Sequence, residues 1–180
     1  MALSVALDAV GGGTVDYSIF CSQHGEIVRT RQILTSIVAG TEISPTAFAQ
    51  SVHNTASGLY TILEKSHAAS TSIASGSSSF VCAWTEASAW LAANPAHRVL
   101  LVDFDEVIPA EYQGYSEQVQ CDHALALVLR AASSDGIGLA PAEPARESGL
   151  PLGPQFLAWL QGGEERLVLG SEGRGWQWAR

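Results

Sequence analysis

Four consecutive apolar residues, Val99-Leu100-Leu101-Val102, stand between Arg98 and the run Asp103-Phe104-Asp105-Glu106. An unbroken apolar run is the pattern of a strand covered on both faces, as in a parallel sheet with helices above and below it. Tyr17-Ser18-Ile19-Phe20-Cys21 is a second β-rich run, ended by Ser22-Gln23-His24-Gly25. Residues 124–131 form a third and the small residues Ala68-Ala69-Ser70-Thr71-Ser72 a fourth, short extended stretch.

Helical periods alternate with these runs. Leu3, Leu7 and Val10 predict a helix over residues 1–10 that Gly11-Gly12-Gly13 stops. Those glycines open no helix and have no Lys-Ser/Thr behind them, so they are a linker rather than a phosphate loop. Ile27, Ile33, Leu34, Ile37 and Val38 precede Gly40 at helical steps, and Ser44-Pro45 offers an N-cap followed by proline at the first helical position. A helix through Asn54, Leu59, Ile62 and Leu63 ends near Lys65. A longer one from about Ser75 to residue 93 carries Phe80, Trp84, Ala87 and Leu91 on one face, and Asn94-Pro95 ends it. Strand and helix in alternation predict a layered α/β fold.

Residues 133–154 shift to Gly, Pro, Ala and Glu and read as an exposed loop. A short helix around residues 156–160 and the run Arg166-Leu167-Val168-Leu169 follow it. Trp176 and Trp178 flank Gln177, so their rings fall on one side of an extended strand, either packed or offered to a partner. We read residues 1–180 as a single domain, with a core over 14–131 and a loop and C-terminal helix and strand over 132–180.

A 180-residue chain that is 47% hydrophobic can bury one sizeable core. Its longest apolar runs fall far short of the roughly 20 residues that span a bilayer. Met1-Ala2-Leu3-Ser4-Val5-Ala6-Leu7-Asp8 has no basic leader, which places the expectation in the cytoplasm. Cys21, Cys82 and Cys121 show no Cys-x-x-Cys spacing, so no zinc site or disulfide framework is predicted. A formal charge of -9 opposes binding to nucleic acid or anionic lipid. Neither a cofactor nor a metal is expected.

Several ordered stretches resemble the β-ketoacyl synthase N-terminal family of the thiolase fold, in its short, divergent branch. They are Cys21-Ser22-Gln23-His24-Gly25-Glu26, Ser44-Pro45-Thr46-Ala47-Phe48, Ser51-Val52-His53-Asn54-Thr55-Ala56-Ser57-Gly58, the elbow Ser70-Thr71-Ser72-Ile73-Ala74-Ser75-Gly76, Leu100-Leu101-Val102-Asp103-Phe104-Asp105-Glu106, and Ala124-Leu125-Ala126-Leu127-Val128-Leu129. The Trp-Gln-Trp ending is also similar to that branch. The resemblance implies half of a thiolase-like fold, a layered α/β unit with a mixed, mostly parallel sheet. It implies that the elbow strand, residues 68–72, lies at a sheet edge that pairs antiparallel with its counterpart in a partner. His24, Ser44, Pro45, His53, Asn54 and Phe80 fall on motif positions of the family.

Three departures bear on function. Ile73 stands where the family carries its nucleophilic cysteine, and an isoleucine has no lone pair to attack a thioester. Cys82, nine residues on, reads as a core thiol on the far side of the helix. The two histidines that a C-terminal half would supply for malonyl decarboxylation have no counterpart, since no histidine follows His123. The family also opens with a glycine-containing strand in the middle of the sheet, whereas this chain begins inside the next helix. Either the start is placed late, or the flanking strands close on each other, or the domain is unstable alone.

The resemblance therefore implies a non-catalytic, chain-length-factor-like subunit. It would pair as a heterodimer with a complete β-ketoacyl synthase in type II fatty-acid or aryl polyene assembly, and meet acyl carrier protein indirectly. The alternatives are an acyltransferase using an elbow serine, Ser72 or Ser75, and a truncated homologue without function. His24 and His53 read as loop hydrogen-bonders, Asp103, Asp105 and Glu106 as a solvated strand end, and residues 75–79 as helix-capping serines.

Overall fold

In a computed structural model of the chain, residues 1–116, 118–132, 135–143, 145, 149–171 and 173–180 are described. Helix α1 (Ala2–Val10) is followed by β1 (Tyr17–Cys21), α2 (Ile27–Ala39), α3 (Pro45–Ala49), α4 (Thr55–Leu63), β2 (Ala69–Ile73), α5 (Ser79–Ala93) and β3 (Val99–Asp105). A 3-10 turn (Ala110–Tyr115), β4 (His123–Leu129), β5 (Gly138–Ala142), α6 (Leu152–Gly162), β6 (Arg166–Ser171) and β7 (Arg174–Ala179) complete it.

The main sheet has the order β2-β1-β3-β4. β1 runs parallel to both β2 and β3, and β4 runs antiparallel to β3. Every residue of β1 and β3 is buried, as their apolar character requires. Ile19, Val99 and Leu101 face α5 and α6, while Phe20, Leu100 and Val102 face α1 and α4. The period of two along each strand thus divides one run between two cores. β1 and β3 pair directly from Tyr17↔Val99 to Cys21↔Asp103.

Residues 138–142, inside the expected loop, form a strand. β5 pairs with β7 at the edge of a three-stranded antiparallel sheet of order β5-β7-β6. The rest of that loop includes residues 133, 134, 144 and 146–148, which lie outside the described residues. α6 begins at Leu152, ahead of the expected position near 156.

Trp178 is fully buried and pairs with Leu139 and Leu167, while Trp176 is half-buried on the same side. Packing, not display to a partner, accounts for Trp178. It meets Phe80 and Phe156 at centroid distances of 6.1 and 5.8 Å, and Phe156 lies 4.9 Å from Trp84 and 5.5 Å from Trp159. This aromatic cluster fuses the second sheet and α6 to the α5 face of the main sheet. Among the described residues, no helix is long and apolar enough to cross a membrane.

Candidate functional site

The elbow between β2 and α5 is built by one glycine and a relay of hydroxyls. β2 is the outermost strand, with Ala69 and Ser70 exposed and Thr71, Ser72 and Ile73 half-buried. Ala68 leads into it, its N–H donating to Ser66 Oγ at 3.2 Å. Gly76 then takes φ +54°, a left-handed conformation that glycine adopts without strain, and Ser75 and Ser77 form a bridge across it. The Ser75 N–H donates to Ser79 Oγ at 2.9 Å, and the Ser79 hydroxyl donates to the Gly76 carbonyl at 2.8 Å.

Helix α5 therefore starts at Ser79 rather than near Ser75, because the chain spends residues 74–78 on the turn. Ile73 lies in the strand, paired with Cys21, and its carbonyl accepts from the Ser22 N–H at 3.2 Å. Its side chain packs against the α5 core instead of standing at a helix N-terminus.

This later start also corrects the reading of Cys82. The thiol sits in the first turn of α5, half-buried, and lines a groove of about 500 Å³ with Ile73, Thr85, Glu86, Arg174 and Trp176. It is on the same side as Ile73. The serine run divides its work: Ser79 caps the turn, while the Ser77 and Ser78 hydroxyls lie 2.9 and 2.8 Å from Ser171 Oγ at the end of β6. Ser171 is fully buried, so the β6–β7 hairpin is clasped onto the elbow. Ser72 Oγ is buried with no hydrogen-bond partner among the described residues.

Other motif residues hold the neighbouring loop. His53 Nε2 is 3.0 Å from the Ser22 carbonyl, and Gly25, at φ +55°, packs against the His53 ring. The His24 backbone N–H donates to Asp105 Oδ1 at 2.9 Å. Ser44 caps α3 by accepting from the Ala47 N–H at 3.3 Å, with Pro45 at its first position. Asn54 precedes α4 without a side-chain cap bond. Phe80 is buried in the aromatic cluster. Among the described residues no histidine ring bonds an elbow serine, so no serine–histidine pair is assembled here.

Asp103 and Asp105 are not a solvated strand end; both are buried. Asp105 accepts from the Ser22 hydroxyl at 2.7 Å and the Gln23 N–H at 2.8 Å, in addition to His24, and so fixes the loop after β1. Asp103 accepts from the Cys21 thiol at 3.2 Å and faces His123 Nε2 at 3.3 Å. Burial, then the Asp103 charge and hydrogen bond, push the Cys21 thiol well above its ordinary range, so it stays a protonated donor. The signal for this burial lay in the alternation: Asp103 and Asp105 continue the face of Val99 and Leu101. Among the described residues, no three His, Cys, Asp or Glu side chains gather as a metal set.

The β-ketoacyl synthase N-terminal domain matches residues 1–179. The chain belongs to the β-ketoacyl synthase N-terminal domain family. Its α/β layers and mostly parallel sheet are those of the thiolase-like ketosynthases. A chain in the solved complex of the ketosynthase ApeO with its chain length factor ApeC, from Xenorhabdus doucetiae, is similar at 32% identity and a TM-score of 0.90. That match covers 99% of this β-ketoacyl synthase-like chain and 75% of the other. The tetronic acid condensing enzyme AbyA1 matches at 18% identity and a TM-score of 0.48, over 82% of this chain and 43% of that one. The 3-oxoacyl-(acyl carrier protein) synthase III FabH of Pseudomonas aeruginosa PAO1 matches at 16% and 0.49, over 89% and 50%. No curated protein matches the sequence.

Proposed function

We propose that this chain is a non-catalytic, chain-length-factor-like subunit that pairs with a complete β-ketoacyl synthase in type II fatty-acid or polyene assembly. The observation that carries this reading is Ile73. It occupies the nucleophile position of the family motif, cannot form an acyl thioester, and is packed into the core at the end of an edge strand. The likeness to a chain of a ketosynthase–chain length factor complex supports the same assignment. The free edge of β2 offers unpaired N–H and C=O groups to a strand of the partner. With a net charge of -9, the subunit repels other acidic proteins, so acyl carrier protein docks on the ketosynthase.

Co-expression with a complete β-ketoacyl synthase from the same source, followed by size exclusion, tests the proposal. One co-eluting heterodimer peak is expected. Two separate peaks at micromolar concentration, or an acyl adduct on this chain that Ser75→Ala abolishes, would overturn it.

A further inference from the structure

We propose that the outer edge of β4 is a self-pairing surface, to which a second copy of this chain adds its own β4 in an antiparallel register centred on Ala126. The inference goes beyond the heterodimer reading and uses the other edge of the main sheet, since β2 and β4 end the order β2-β1-β3-β4.

The edge is long and carries nothing that would keep another strand away. β4 is His123-Ala124-Leu125-Ala126-Leu127-Val128-Leu129, seven residues with no proline, lysine, arginine or glutamate among them. Free edges are ordinarily guarded by such residues, by bulges or by shortness. β5, at the edge of the second sheet, holds Pro141, and β2 has only five residues. β4 pairs with β3 along its whole length, and among the described residues its backbone makes no hydrogen bond on the outer side.

Both cores continue up to that edge. Leu125, Leu127 and Leu129 belong to the α5 face of the sheet, and Ala124, Ala126 and Val128 to the α1 face. An apolar hollow of about 500 Å³, lined by Met1, Val5, Leu125 and Leu157, opens at the start of β4. Another of about 490 Å³, lined by Trp84, Leu91, Val128 and Ile137, opens at its end. Antiparallel pairing sets the start of one β4 against the end of the other, so the first hollow of each copy lies across from the second hollow of its mate.

Register and charge choose a second copy as the occupant. In a symmetric antiparallel pair the two-fold axis stands perpendicular to the sheet and keeps every residue on its own face. Full overlap of residues 123–129 with themselves then centres the pair on Ala126 and sets Leu125 against Leu127 and Ala124 against Val128. The same register sets Asp122 of each copy against Arg130 of the other. Both are exposed; Asp122 is oriented by accepting the Val107 N–H at 2.7 Å, and the Arg130 guanidinium has no partner among the described residues. Apart from His123, whose ring is engaged by Asp103, residues 122–130 carry this one acid and one base, placed to complement themselves across a two-fold axis.

The formal charge of -9 opposes the approach of a second copy, and an edge about 24 Å long covers less than the ~800 Å² that a stable pair buries per partner. Self-pairing is therefore weak, with a Kd on the order of 100 µM, above the range in which the heterodimer forms.

The test is sedimentation velocity of the chain from about 10 to 500 µM, alone and with a complete β-ketoacyl synthase. Wild type is compared with Arg130→Glu and with Arg166→Glu, a control of equal charge on β6; both arginines are exposed, so neither change should disturb the fold. A wild-type dimer that Arg130→Glu weakens about fivefold more than Arg166→Glu does is expected. Cross-linking with oxidised glutathione reads the register. Opposed Cβ atoms lie about 5 Å apart, so Ala126→Cys should give a covalent dimer, whereas Ala124→Cys and the wild type should not. A chain that stays monomeric to the top of the concentration range, equal effects of the two glutamates, or cross-linking as ready through Ala124→Cys as through Ala126→Cys would each overturn the proposal. So would loss of the Ala126→Cys cross-link when the ketosynthase binds, which would assign this edge to that partner. A cross-link that persists while no ketosynthase binds would uphold the self-pairing and sink the heterodimer reading alone.

Discussion

His123 Nε2 lies 3.3 Å from Asp103 Oδ2, joining the start of β4 to the end of β3 through side chains that are both largely buried. Gly153 in the first turn of α6 closes over the same carboxylate, and the Cys21 thiol donates to it from β1. Three strands and a helix thus meet at one negative charge, which is costly to bury without such partners.

The pair predicts a pH dependence of stability. Burial works against the charged imidazole, but the hydrogen bond to Asp103 and its negative charge outweigh it and raise the His123 pKa above 6.5. A histidine raised on folding contributes fully below its unfolded pKa, and its contribution is lost as pH rises through the folded value. Asp105 adds to the upward shift, and Cys21 stays protonated in this window. Denaturant midpoints should therefore fall above about pH 6.5 in wild type. His123→Gln should show a flatter profile and lower stability at pH 6; a wild-type-minus-variant difference independent of pH would contradict the pairing.

Gly153 has no room for a methyl group. An added Cβ would collide with Asp103 Oδ2 and come within 2.8 Å of Leu125 Cδ2. Gly153→Ala should cost about 3 kcal/mol, with Tm lowered by roughly 6–12 °C in calorimetry. A Tm within 2 °C of wild type, about the effect of a neutral surface change, would show that α6 shifts freely.

Restoring a thiol should not restore chemistry. In Ile73→Cys the new sulfur would sit in β2, six residues ahead of α5, so the helix dipole would not stabilise a thiolate. Its alkylation by iodoacetamide should follow an ordinary thiol pKa of about 8.5, and no malonyl decarboxylation should appear. Rapid alkylation at pH 6 would argue that the elbow still activates a nucleophile.

The edge strand should tolerate charge in the monomer but not in the complex. Ser70 is exposed on β2, so Ser70→Lys should leave the unfolding midpoint unchanged and weaken ketosynthase binding at least tenfold. Unaltered binding would place the ketosynthase contact elsewhere.

Phe156 is fully buried amid Phe80, Trp84, Trp159 and Trp178. Phe156→Ala should cost about 3–5 kcal/mol in urea unfolding. A loss of tryptophan fluorescence order at a lower denaturant concentration than the loss of helix signal would show that the second sheet melts apart from the first.

The features that follow from periodicity were legible in the residues. Val99 to Val102 announced a doubly covered strand, and Gly40 and Ser44-Pro45 marked the bounds of α2 and α3. β5 was hidden because Gly138-Leu139-Ala140-Pro141-Ala142 contains a proline that costs a strand nothing only at an edge, and its edge position depends on β7, some forty residues later. The start of α5 was misplaced because serines are equally at home in caps and turns, and the hydroxyl that claims Ser77 and Ser78 comes from Ser171. Alternation along β3 already put Asp103 on the face of Val99 and Leu101, but the residues that close over its carboxylate, His123 and Gly153, are ones that no local pattern connects to it.

The direct pairing of β1 with β3 also couples the two cores mechanically. Ile19, Val99 and Leu101 serve one core and Phe20, Leu100 and Val102 the other, so parting the strands would unzip five parallel residue pairs and open both cores at once. Neither face of the main sheet can loosen while the other holds, and the two should melt as one cooperative unit.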